Sequence, residues 1–158
     1  MANLNQFKLL EQKCTSYFKF LENEIERKIK LKKDSDRERF GFYLFILECI
    51  TNIKDTNNLL ELITDTDFNA QVFNNNIDDH GIDAIYINEE DTEINLFNFK
   101  YRENFKTDSK HKKNDVFIST KFTNSIKIAK TTSLNGILKD MVNGIKDALE
   151  STPPELSA

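Results

Sequence analysis

The chain has 158 residues, 22 Lys and Arg against 26 Asp and Glu, and 39% apolar residues, which fits one folded domain with a single core and excludes collagen-like and disordered classes. Its four glycines, Gly41, Gly81, Gly136 and Gly144, lie at least eight residues apart, so neither a P-loop nor a GxGxxG dinucleotide turn can be assembled. The longest apolar run, Phe40 to Ile50, has eleven residues, against roughly 20 for a bilayer span, so no membrane span is expected. The first residues carry no basic stretch followed by an apolar one, and a cytoplasmic location is expected. Cys14 and Cys49 form no CxxC pair and are expected in the core.

Leu4, Phe7, Leu10, Cys14, Phe18, Leu21, Ile25 and Ile29 recur every three or four residues, predicting an amphipathic helix from about residue 4 to 31 whose apolar stripe needs a partner surface. Ser35 followed by Glu38 is a capping-box pattern, and a second helix should start there and run through the apolar stretch to Ile50. A short helical piece, Asn58 to Ile63, follows, then a short candidate strand at Gln71 to Phe73. Ile82 to Ile87 and Glu93 to Tyr101 read as two strands joined by a polar loop. Centring that loop between Glu90 and Asp91 pairs Asp83 with Asn98, Ile85 with Leu96 and Ile87 with Ile94. Period two puts Lys100 on the same face, so Asp83, Asn98 and Lys100 gather at one end of it. Ala84, Tyr86, Phe97, Phe99 and Tyr101 occupy the opposite face, giving a hairpin buried on both sides. Val116 to Ala129 and Leu134 to Leu149 read as two further helices, ended by Pro153-Pro154.

The charges are segregated. Asp55 to Phe97 holds eleven acids and no Lys or Arg, whereas Asn98 to Lys130 holds nine Lys or Arg and three acids. Carboxylates that hold a hard divalent cation beside cations that hold phosphates suit metal-dependent phosphodiester cleavage; solvated faces of a highly charged domain are the alternative. His80 and His111 have no nucleophile at motif spacing.

Asp78-Asp79-His80-Gly81-Ile82-Asp83-Ala84-Ile85-Tyr86-Ile87, then Asn98-Phe99-Lys100-Tyr101 after an interval of ten residues, resembles the PD-(D/E)XK nuclease signature. In particular it is similar to the version at the N-terminus of the abortive-infection phage-resistance (AIPR) proteins and, less closely, to Mrr-type restriction endonucleases. The resemblance spans roughly residues 40 to 130.

It implies an α+β fold: a long N-terminal helix (1–35), a restriction-endonuclease-like core with a small mixed sheet flanked by helices (36–130), and a C-terminal helix and tail (131–158). It further implies an Mg²⁺- or Mn²⁺-dependent nuclease of antiphage defence acting on nucleic acid, DNA in preference to RNA. Asp83 would be the metal-ligating carboxylate and Lys100 the group that orients water and stabilises charge on the phosphate. Asn98 stands where the family has Glu or Gln; its carbonyl oxygen can face a cation, but on a shorter, uncharged side chain. Glu48 matches the acid that many members supply from the helix before the sheet, the wet edge of that helix being its other expected setting. Asp79 is a second-rank ligand or a turn residue.

Lys106, Lys110, Lys112 and Lys113 would track the nucleic-acid backbone. The alternative is an inactive nuclease-fold module that binds nucleic acid or a partner protein. The family core carries one more strand than this chain shows, so a larger parent chain or a homodimer through the first helix is expected to complete it.

Overall fold

The computed structural model describes residues 3–88, 93–106 and 136–151. Among them are five helices and a two-stranded antiparallel sheet, in the order α1 (Leu4–Glu24), α2 (Asp36–Thr51), α3 (Thr56–Glu61), α4 (Thr66–Val72), β1 (Ala84–Asn88), β2 (Glu93–Phe97) and α5 (Gly136–Ser151). The mixed sheet expected from the sequence is not found among these residues, where the pairing is antiparallel throughout.

Helix α1 begins with a reciprocal capping box between Asn3 and Gln6 and buries Cys14, Phe18 and Leu21. Its stripe finds its partner surface within the chain, because Phe18 and Leu21 share a core with Phe40, Tyr43, Leu44 and Leu47 of α2. The two helices approach so closely at Gly41 that a Cβ there would sit 1.8 Å from the Cys14 carbonyl oxygen, and only glycine fits. The helix ends at Glu24 rather than near residue 31. The chain turns at Glu26, which takes a left-handed φ of 53°, and the Glu22 carboxylate accepts the Ile29 amide at 3.0 Å. Ile25 and Ile29 keep the apolar period and still pack on the core, from irregular backbone.

Helix α2 has Ser35 at its N-cap position without a side-chain capping bond, so the capping box does not form. Glu38 instead accepts the Thr15 hydroxyl of α1 at 3.4 Å. Cys49 is exposed, not in the core, while Cys14 is buried. Residues 71–73, expected as a strand, finish α4, which is capped by Asp65 through the Phe68 amide at 2.6 Å.

The hairpin has the expected register, with Ile85 opposite Leu96 and Ile87 opposite Ile94; its second strand stops at Phe97 rather than Tyr101. Both faces are covered. Ala84, Phe97 and Phe99 pack into the core of α1 to α4, whereas Ile85, Ile87, Ile94 and Leu96 pack with Val142 and Ile145 of α5. The hairpin is therefore the middle of three layers. On its free edge β1 meets a short extended segment: the Leu62 carbonyl accepts the Ile85 amide at 2.9 Å and Ile63 bridges Ala84. The expected helix Val116 to Ala129 lies outside the described residues.

Candidate metal centre

At the start of β1 the segment that caps α4, the end of β2 and a turn converge. The Asp83 carbonyl accepts the amides of both Thr64 and Asp65, at 2.9 and 3.1 Å, and its own amide donates to the Phe97 carbonyl at 2.8 Å. These bonds tie the Ile63–Asp65 segment to one side of Asp83 and β2 to the other. On the third side, residues 78–81 form a turn with left-handed backbone at His80 (φ 50°) and Gly81 (φ 78°). Asp79 organises that turn. Its carboxylate accepts the Gly81 amide at 2.7 Å and both the amide and hydroxyl of Thr66 at 3.1 Å.

The result is that carboxylate oxygens of Asp65, Asp79 and Asp83 lie within 4.8 Å of one another. Asp65 is buried, capping α4 and accepting the Tyr43 hydroxyl at 3.2 Å. The Asp83 carboxylate accepts the Phe99 amide. Burial pushes the Asp83 carboxyl up to about 7, against the Phe99 bond and with the charges of Asp65 and Asp79 adding to it. Asp65 is raised as well, again chiefly by burial. Arg39 of α2 favours the ionised form of both, but its guanidinium is held by Asp36 and Asp67 at 3.1 and 3.2 Å.

The donor set suits a hard divalent cation. It is all oxygen, its charges are crowded in a partly dry place, and the rise at Asp83 shows that the protein does not fully compensate them. Oxygens around one Mg²⁺ at 2.0–2.1 Å span at most about 4 Å, so the cluster would tighten by a fraction of an ångström.

The four residues expected at the catalytic centre fall in different places. Asp83 is in the cluster. Asn98 is exposed nearby and its amide donates to the Gly81 carbonyl at 2.8 Å, clamping the turn. Lys100 is exposed and lines a groove with Phe7, Leu10 and Phe42. Glu48 stands apart from the cluster, on the partly wet edge of α2. It accepts the Tyr17 hydroxyl at 2.6 Å and pairs with Lys54 at 2.9 Å, and these two bonds hold its carboxyl below the usual range. Lys106 lines the same groove as Lys100, and Lys110, Lys112 and Lys113 lie outside the described residues.

Asp65 was not singled out in the sequence. Its signal was a β-branched pair, Ile63-Thr64, running into an acid that can cap a helix. No helix among the described residues is long and apolar enough to cross a membrane. No protein-family model, curated protein or solved structure matches the chain.

Proposed function

We propose that the chain is a metal-dependent nuclease domain of antiphage defence, with a restriction-endonuclease-like core similar to the N-terminal domain of AIPR proteins, working in the cytoplasm. The observation that carries this reading is the convergence of Asp65 and Asp79 on Asp83, just before β1, with Asn98 clamping the adjoining Gly81 turn. Bound Mg²⁺ or Mn²⁺ would act there as a Lewis acid on a phosphodiester and its attacking water. Asp83, Asp65 and Asp79 would hold the cation, and the Tyr43 hydroxyl and the Phe68 amide keep the Asp65 carboxylate aimed. Asn98 fixes the Gly81 turn and with it Asp79. Lys100 would stabilise charge growing on the phosphate as a compact ammonium. Lys106, with Lys110, Lys112 and Lys113, would follow the backbone of nucleic acid, DNA ahead of RNA, with strong salt dependence.

The test is cleavage of labelled oligonucleotides by the purified full chain. Cleavage should require Mg²⁺ or Mn²⁺, stop in chelator, and fall on the order of 100-fold or more in Asp83→Ala and in Lys100→Ala. Metal-dependent cleavage that persists in both variants would sink the proposal.

A second reading, a nuclease-fold module that binds without cutting, draws support from Asn98 and Glu48. The first is uncharged and donates its amide to the Gly81 carbonyl, and the second is committed to Tyr17 and Lys54, so neither adds charge to the cluster. Binding with no cleavage in any divalent metal would favour it.

A further inference from the structure

The groove that Lys100 lines combines two chemistries. Phe7 of α1, Phe42 of α2 and the Tyr101 and Phe105 rings that follow β2 form its walls. Each of the two rings after β2 packs at a tilt on a helix ring, Phe105 on Phe7 with centroids 5.9 Å apart and Tyr101 on Phe42 at 5.7 Å. All four are half-buried, so part of each side chain stays in contact with solvent. Lys100, Arg102 and Lys106 contribute cations at alternate or nearby positions of the same segment. Burial above all, with the ionisable groups of Cys14, Glu38, Glu11 and Glu103 around it, pushes the Tyr101 hydroxyl up, so the acidic surroundings are at the Tyr101 end.

Partly exposed rings held by neighbouring rings, in a cavity of about 230 Å³ edged by lysine and arginine, suit a flat π-system joined to an anion. An unpaired nucleotide is that ligand, whereas a duplex hides its base faces within its own stack. A fully apolar peptide would bring no anion to the cationic edge, and an acidic peptide would offer the rings no planar partner.

We propose that this groove binds single-stranded nucleic acid, stacking bases on the Phe105 and Tyr101 rings while Lys106 and Arg102 meet the phosphates. The proposal rests on the reading that the chain engages nucleic acid and adds the form of the strand. Because Phe99 donates its amide to Asp83 and Lys100 follows directly, a strand in the groove lies against the same short segment that closes the carboxylate cluster.

Binding is measured in chelator, where cleavage plays no part, with the full chain and thymidine or uridine oligonucleotides of about 12 units. The chain has four tyrosines and no tryptophan, so stacking on Tyr101 is read directly as quenching of tyrosine emission. The wild type should bind the single strand at least about tenfold tighter than a matched duplex, and Phe105→Leu, which keeps apolar volume but removes the ring, should weaken binding about tenfold. Lys106→Gln should lower the salt slope by about 0.7. Tyr101→Phe keeps a stacking ring, so it should retain affinity and lose most of the quenching even if the leucine variant folds poorly. Equal binding of duplex and single strand, or quenching unchanged in Tyr101→Phe, would overturn the proposal. Binding without cleavage in metal leaves it standing while the nuclease reading falls; cleavage of duplex with no preference for single strands does the reverse. Whichever of the thymidine and uridine strands binds tighter identifies the polymer.

Discussion

Asp83 and Glu48 are both acids in apolar sequence, and the family resemblance assigns both to one metal site, yet they live under opposite electrostatics. Glu48 accepts a tyrosine hydroxyl and an ammonium, and its carboxyl is held down. Asp83 accepts one backbone amide and faces two further carboxylates, and its carboxyl is pushed up to about 7. A carboxyl held down by a hydroxyl and an ammonium keeps its charge without a further ion, whereas one pushed up by burial among other carboxylates would gain from a cation. Glu48 thus ties Tyr17 of α1 and Lys54, beyond the end of α2, to its own helix, whereas Asp83 is left among acids.

The sharpest way to break that comparison is to remove the charge at Asp83. In metal-free protein its raised folded pKa means that the native state holds a proton the unfolded chain has lost, so stability falls as pH rises from near 4 through about 7. Asp83→Asn, which can still accept the Phe99 amide, should abolish that fall and stabilise the protein at pH 8 in chelator by on the order of 3 kcal/mol, with no gain below pH 4, as read by urea unfolding. Unchanged or lower stability at pH 8 would mean that Asp83 is as well compensated as Glu48.

A smaller effect, of opposite sign, is expected at Tyr17. Its hydroxyl bond keeps Glu48 ionised, a contribution present above the unfolded pKa of the acid and lost as pH falls through its lowered folded value. Tyr17→Phe should therefore cost about 1 kcal/mol at pH 7 and almost nothing near pH 3, without altering cation binding. A cost that is the same at both pH values would assign the tyrosine's contribution to packing.

Much of this arrangement was legible in the sequence because period-two alternation is unforgiving. Only one register of the hairpin sets Ile85 against Leu96 and Ile87 against Ile94, and that register fixed which end carries Asp83. Its burial on both faces followed from apolar residues on both, one set packing on the core of α1 to α4 with Phe99 against Tyr43, the other meeting α5. What escaped depended on single side chains overriding a pattern. Glu22 and the left-handed Glu26 stop α1 inside an unbroken apolar period, and the Asp65 cap turns a strand-like run into the end of α4. Asp65 escaped, and Asp79 ranked only second, for a related reason: they reach Asp83 through a cap and a turn, neither of which has a period to read. Glu48 was drawn toward the site because its helix is nearly all apolar, while the partners that satisfy it come from α1 and from Lys54.

The proposed cation site is Asp65, Asp79 and Asp83, without Glu48. Electron paramagnetic resonance of Mn²⁺ titrated into the full-length chain tests it directly, since bound and free ion are counted separately. One ion should bind to the wild type and to Glu48→Gln with the same affinity, and Asp83→Asn should weaken binding by at least about tenfold. Loss of the ion in Glu48→Gln with retention in Asp83→Asn would contradict the account.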